Sequence, residues 1–289
     1  MSKGKHQTKK KGNKLLNVLI IICVIVFIAS GVILVKELSK YWEADKINSD
    51  LKDILSEPPT SQEIELTPPD SNQQFAKLYA VNNDFIGWIQ IPNTHVDYPV
   101  VHTDNNDYYL ENNFYKEPNK LGTVFVDSRA VISPGKTSDH LVLYGHSAQN
   151  GSFFADVRKY KTVEYYQQHA FIDFDTLYDN SDWIVVSAFM IDAREDAKNP
   201  FWYHDYIDFT DESLYNEFIN QITQRNYFVN NIDLQYGDKF ITLSTCDYDF
   251  DDSRFAVTAR KLRDGETKES FDLQNITLNQ NRVMPERWG

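Results

Sequence analysis

Residues 239–246 read KFITLSTC, and after the loop DYDFDDS the chain resumes as RFAVTARKL at 254–262. Both runs are rich in β-branched and aromatic residues and are bounded by turn formers, the pattern of strands. If they pair as an antiparallel hairpin, Cys246 at the end of the first and Arg254 at the start of the second meet at one sheet end. A third run, HLVLYGH at 140–146, also ends on a polar residue, His146. A side chain at a strand mouth is exposed while its backbone is held rigidly, which suits catalysis.

Further strand patterns surround these three: FIGWIQI at 85–91, VDYPVV at 96–101, GTVFVD at 122–127 and DWIVVSAFMI at 182–191. Seven or eight strands in about 180 residues predict a mainly β fold, a barrel or sandwich, with helices added to it. Phe75, Leu78 and Tyr79 give residues 71–81 a short amphipathic helix, and SFFADVRKY at 152–160 is a second. Residues 210–225 (TDESLYNEFINQITQR) form a third, with Thr210 as N-cap and Leu214, Phe218, Ile219 and Ile222 as its buried stripe. The tail at 265–289 is polar and carries no clear pattern.

The other end of the chain decides topology. Residues 15–35, LLNVLIIICVIVFIASGVILV, carry no charge and as a helix would reach roughly 32 Å, enough to span a bilayer core. The run exceeds the apolar region of a cleaved signal peptide (about 7–15 residues), and no small-x-small site follows it, so it reads as an uncleaved anchor. Lys3, Lys5, Lys9, Lys10, Lys11 and Lys14 precede it and Lys36 ends it, with no Asp or Glu among the first 36 residues. This places the basic tail 1–14 in the cytoplasm and the rest of the chain outside the cell membrane. Residues 37–53 read as a polar helix leaving the membrane. Residues 54–69, with two Pro-Pro pairs, read as an extended stretch, so that 36–70 is a spacer ahead of a catalytic domain at 71–264.

The net charge of the whole chain is −13, which argues against nucleic acid as a partner. Two cysteines exclude a disulfide scaffold. Cys23 lies in the span, so Cys246 has no intrachain partner outside it. A lone thiol in an oxidising space is either buried and inert or used. A thiol needs activation, which an imidazole provides, and a permanently charged guanidinium offers fixed donors to an oxyanion. Cys, His and Arg together read as acyl transfer through a thioester. Alone, each has an ordinary structural reading, and His95, His102, His140, His169 and His204 compete with His146. The histidines lack ligand spacing, so no metal or other cofactor is expected.

TLSTC at 242–246, the Arg eight residues later and LYGHS at 143–147 resemble the sortases, membrane-anchored cysteine transpeptidases of Gram-positive bacteria. The resemblance covers about residues 71–263. NDFIGWIQIPNTHVDYPVV, NDYYLENNF at 106–114, the N-terminal helical extension and the helical insertion before the Cys246 strand are similar to class B. It implies an eight-stranded β-barrel and a catalytic set of Cys246 as nucleophile, His146 as proton carrier and Arg254 as oxyanion ligand, with the Asp247 N–H as a second donor. By the same resemblance Asn106, Leu110, Ser244, Asp247, Tyr206 and Ile207 contact the substrate. The substrates implied are secreted proteins with a C-terminal Asn-Pro-x-Thr-type sorting signal and a peptidoglycan precursor amine. Asp247 stands where some relatives have Glu, which puts a side-chain role there in doubt.

Three rivals remain in view. Papain-like peptidases and wall amidases place Cys before His, the reverse of this chain, although hydrolysis of the same thioester is chemically open. L,D-transpeptidases have His before Cys but Gly immediately ahead of it, where this chain has Thr245. A non-catalytic surface module leaves the Cys–Arg spacing unexplained. Within the sortases, a pilin polymerase is an alternative, often marked by a lid segment that is not evident here.

Overall fold

A computed structural model of the chain describes residues 13–286. Most of the basic tail and the last three residues of the MPERWG terminus lie outside them. The chain divides into two units, Met1–Glu43 and Ala44–Gly289. Helix α1 (Asn13–Ser56) begins in the first. Its apolar side chains from Leu16 to Val35 are exposed all round. Among the described residues this one helix is long and apolar enough to cross a membrane, with mean hydropathy 3.4 over its best window.

The end of α1 belongs to the second unit and packs into its core. Leu51 is 1% exposed and packs with Phe75, Leu78, Phe85, Trp88 and Tyr109, and Ile47, Ile54 and Leu55 lie against the same cluster. Asn48 donates to the Asp97 carbonyl at 3.1 Å, and Lys52 pairs with Asp97 at 2.7 Å. The Pro-rich stretch is not simply extended. Helix α2 (Ser61–Leu66) forms inside it because Thr60 and Glu63 make a capping box. The flanking Pro-Pro pairs confine it to six residues. A 3-10 turn, Gln73–Phe75, leads into α3 (Ala76–Val81).

Eight strands close a barrel: β1 (Phe85–Gln90), β2 (Asp97–Val101), β3 (Val124–Val126), β4 (His140–Tyr144), β5 (Phe171–Thr176), β6 (Asp182–Asp192), β7 (Phe240–Cys246) and β8 (Ser253–Lys261). Their order around the wall is β1-β2-β3-β4-β7-β8-β6-β5. The pairs β2/β3 and β4/β7 are parallel and the others antiparallel. Seven strands coincide with the apolar runs. The eighth, β5, reads FIDFDT; its inward residues alternate with Asp173 and Asp175, a period-2 signal that lacks a continuous apolar run.

The 152–160 segment is a 3-10 helix, Phe154–Lys161, followed by α4 (Val163–Gln168). Between β6 and β7 an insertion carries α5 (Glu212–Arg225). Its N-cap is Asp211, not Thr210: the Asp211 carboxylate accepts from the Leu214 N–H at 2.9 Å. A charged acceptor there also suits the positive helix end. Tyr215, Phe218, Ile222 and Arg225 are the buried face, while Leu214 and Ile219 are half-buried. The tail is also ordered in part, with Thr277–Leu278 pairing with Phe228–Val229.

The insertion covers one face of β7. Along that strand Phe240, Thr242, Ser244 and Cys246 share a face by alternation. Phe218 packs edge-on to Phe240 at 5.5 Å and against His140 at 4.9 Å. His140 is fully buried. Its Nδ1 donates to the Tyr206 carbonyl at 2.7 Å and its Nε2 meets the Thr242 hydroxyl at 2.7 Å, stitching insertion to wall.

This packing yields two expectations. Leu51→Ala in the full chain lowers unfolding free energy by about 2–4 kcal/mol, measured by denaturant titration in detergent; a free spacer residue would cost nothing. Burial holds His140 down to about 4 from its ordinary 6.5, so between those values the unfolded chain binds the extra proton. Stability therefore falls as pH drops through that window, by up to about 3 kcal/mol. The stability difference between wild type and His140→Gln should narrow or reverse from pH 7 to pH 4.5.

Candidate active site

Strand register assembles the three polar strand-end residues. In β7/β8, Cys246 is the direct antiparallel partner of Arg254. In β4/β7 the parallel partners run from His140 and Phe240 to Tyr144 and Ser244. The pairing continues past the strand, since the Gly145 N–H donates to the Ser244 carbonyl at 3.1 Å and the Thr245 hydroxyl to the Gly145 carbonyl at 2.8 Å. Two residues on from the Tyr144–Ser244 pair, His146 stands beside Cys246. Cys246 and Arg254, paired across β7 and β8, and His146, just past the end of β4, thus form a row at one end of these walls.

This row lines an open cleft of about 740 Å³ with Asn106, Leu110, Tyr144 and Ser244. Each wall is tied down. The His146 Nε2–H donates to the Leu110 carbonyl at 3.0 Å, which fixes the ring and places a proton on that nitrogen. Leu110 ends the 3-10 helix Tyr108–Leu110. Gly122 lets this turn sit close, because a Cβ there would lie 2.2 Å from the Tyr109 carbonyl oxygen and its φ is +60°. Asn106 accepts from the Ser128 N–H at 2.7 Å. Arg254 gives one Nη1–H to the Ser253 carbonyl at 3.1 Å, holding the guanidinium beside Cys246.

Of the residues expected to touch substrate, Asn106, Leu110 and Ser244 line the cleft, whereas Asp247, Tyr206 and Ile207 do not. The Tyr206 hydroxyl donates to Glu217 at 2.8 Å, and its carbonyl holds His140. The Ile207 carbonyl accepts from the His140 N–H. Both anchor the insertion. The Asp247 N–H is already given to the Ser253 carbonyl at 3.0 Å, closing the turn after Cys246, so it is not available here as an oxyanion donor. The Asp247 side chain is fully buried against Arg158 and Lys161.

His146 is the one histidine lining the cleft among the described residues. His140 is structural, His95 pairs with Asp156 and His169 meets the Pro92 carbonyl.

Two contributors were not singled out in the sequence. Tyr144 shares the Ser244 register pair, and period 2 from His146 would have found it. Its hydroxyl donates to Asp127 at 3.0 Å. Burial would raise that carboxyl, but hydrogen bonds from Arg129 pull it below the usual range. Arg129 reaches on to Asp205 and the His204 carbonyl in the insertion. Tyr203, buried in the insertion with its phenol pushed up to about 12 by burial, shares a 2.5 Å hydrogen bond with the Ser244 hydroxyl. Nothing in the local sequence marks it.

Gly145 is required by close approach. A Cβ there would lie 2.7 Å from the Phe154 ring, and the Phe154 N–H donates to the His146 carbonyl at 2.9 Å. Gly145→Ala should cost about 1–3 kcal/mol in thermal unfolding and shift the ring resonances of His146 in the NMR spectrum; unchanged resonances would contradict the tight fit.

Comparison with known proteins bears on this constellation. A family model described as Sortase domain matches residues 89–262. The chain is 26% identical over 241 residues to Sortase B of Listeria monocytogenes, covering 81% of this chain and 92% of that one. It is 27% identical over 194 residues to Sortase B of Staphylococcus aureus, covering 66% and 75%. Among solved structures, sortase B from Bacillus anthracis in complex with AAEK1 matches with TM-score 0.66 and 26% identity, covering 78% of this chain and 99% of that one. A Sortase B complexed with triglycine matches with TM-score 0.59 and 26% identity, covering 66% and 86%. With a barrel of the same kind, the chain belongs to the sortase family, in class B, and is a cysteine transpeptidase.

Proposed function

We propose that this transpeptidase cleaves a C-terminal Asn-Pro-x-Thr-type sorting signal after Thr and passes the acyl group to a cell-wall amine. The observation that carries the reading is that Cys246 and Arg254, paired across β7 and β8, and His146, two residues past the end of β4, line one cleft.

The steps follow from the groups present. The Cys246 sulfur, as thiolate, attacks the Thr carbonyl carbon, and the carbonyl electrons move to oxygen. Arg254 donates N–H groups to that oxyanion. As the tetrahedral species collapses, the C–N bond breaks and His146 delivers a proton to the leaving amine. The thioester remains on Cys246. An incoming amine attacks it, its proton goes to His146, and the amide forms as the thiolate leaves. Asn106, Leu110 and Ser244, on the cleft walls, are the contacts we assign to the signal. The relative complexed with triglycine supports a peptide amine as acceptor.

The apolar segment of α1 supports an anchor in the cell membrane, with the basic tail cytoplasmic and the catalytic unit outside. Secreted proteins bearing the signal and lipid-linked wall precursors are then within its reach.

The test uses the full chain in detergent with fluorogenic peptides carrying Asn-Pro-x-Thr and Leu-Pro-x-Thr signals, with and without amine acceptors, and products identified by mass spectrometry. Cleavage after Thr with acceptor-dependent ligation is expected. Cys246→Ala should abolish it, and Arg254→Lys should reduce kcat/KM by about 10²–10³, the scale of losing an oxyanion donor. Release of free acid alone with every amine would overturn the transfer in favour of hydrolysis.

A further inference from the structure

The side chain after the nucleophile does not face the substrate cleft. Its carboxylate is wholly enclosed. Asp247 Oδ1 accepts from Arg158 Nε at 3.0 Å and from the Tyr248 N–H at 2.8 Å, and Oδ2 pairs with Lys161 at 2.7 Å. Arg158 and Lys161 both lie on the 3-10 helix Phe154–Lys161. The first residue of the same helix, Phe154, binds the His146 carbonyl through its N–H. Tyr248 closes the circuit. Its ring lies under the Arg158 guanidinium at 4.8 Å, and its hydroxyl donates to the Ser147 carbonyl at 2.6 Å. One short helical segment, kinked at Tyr160 between Arg158 and Lys161, is therefore fastened at its start to the residue carrying the imidazole and at its end to the neighbour of the thiol.

The geometry points to Asp247 as a positioning residue: its carboxylate clamps the Cys246 turn onto this helix through Arg158 and Lys161, and so sets the spacing between thiol and imidazole. The inference rests on Cys246 and His146 being the reacting pair. A buried carboxylate with two cationic partners is held firmly only while all three are present, because a lone charge left in that site is costly. A proton-transfer pair is sensitive to displacements near 1 Å. Clamping acts on turnover and not on peptide binding, since Asn106 and Ser244 are held by other bonds and Leu110 by its own 3-10 turn through the Asp107 carbonyl.

The experiment is steady-state kinetics of the full chain in detergent, with Cys23→Ser throughout so that Cys246 is the one thiol, and an Asn-Pro-x-Thr peptide plus triglycine. Asp247→Asn and Arg158→Gln should each lower kcat about 10–100-fold, leave KM within twofold and slow iodoacetamide capture of Cys246. The double variant should lose little more than either single one, and Arg158→Lys should recover part of the loss. A raised KM with kcat intact would make Asp247 a substrate contact and overturn the clamp, as would unchanged kcat in both variants. If Asp247→Asn does not fold, Arg158→Gln decides: it removes the bond to Asp247 Oδ1 and should lower kcat about tenfold at unchanged KM in the folded enzyme, and wild-type kcat would overturn the clamp. Cys246→Ala runs alongside, since activity surviving in it would refute the nucleophile and not the clamp.

Discussion

The parallel pairing of β4 with β7 is the constraint on which the site depends. It brings a histidine to a cysteine that follows it by a hundred positions, and it does so through backbone hydrogen bonds, not through side-chain contact. A slip of one residue would turn every side chain of β7 to the opposite face. Ile241 and Leu243 would leave the barrel interior, and Cys246 would turn away from the cleft. Core burial therefore enforces catalytic register. The antiparallel β7/β8 hairpin adds Arg254 by the same logic, and because the turn between them is closed by the Asp247–Ser253 bonds, the guanidinium has little freedom to wander.

The remaining elements support this row from outside the barrel. The insertion lies over the lower part of the same β7 face, fixed by the Phe218–Phe240 contact, the buried His140 bridge and the Tyr203–Ser244 hydrogen bond. It leaves Cys246 uncovered. The 3-10 helix Tyr108–Leu110 closes the other side and orients His146. It rests on a core that includes Tyr109 and Leu51, so the last part of α1 contributes to the floor of the catalytic unit. Residues that carry no chemistry thus fix where the chemistry occurs.

Legibility in the sequence followed the physics of each element. β7, β8 and β4 are buried on both faces and rich in β-branched and aromatic residues, so they appear as strand runs bounded by turn formers, and the polar residues at their ends could be read as a site. β5 alternates with aspartates and was hidden for that reason. Helix α2 was masked by its Pro-Pro pairs, although Thr60 and Glu63 supply the cap that makes it. The reading of Cys246, His146 and Arg254 as a proposed catalytic set depended on strand termini, which composition marks well. Tyr206, Ile207 and the Asp247 backbone amide were expected at the substrate through family resemblance. Tyr206 and Ile207 lie outside the cleft and bond to His140 and Glu217, distant partners that no local pattern encodes, and the Asp247 amide closes the turn to Ser253. Tyr203 and the Arg158–Asp247 pair were invisible for the same reason.

The central claim is that Cys246 holds the acyl group between the two halves of the reaction. Intact-mass and peptide-mapping spectrometry of the full chain, quenched in acid after incubation with an Asn-Pro-x-Thr peptide and no acceptor amine, tests it most directly. The account predicts an adduct equal to the peptide's N-terminal fragment through Thr, mapped to Cys246 and discharged by added hydroxylamine or triglycine. Peptide turnover with no such adduct at any quench time, or an adduct on another residue, would contradict it.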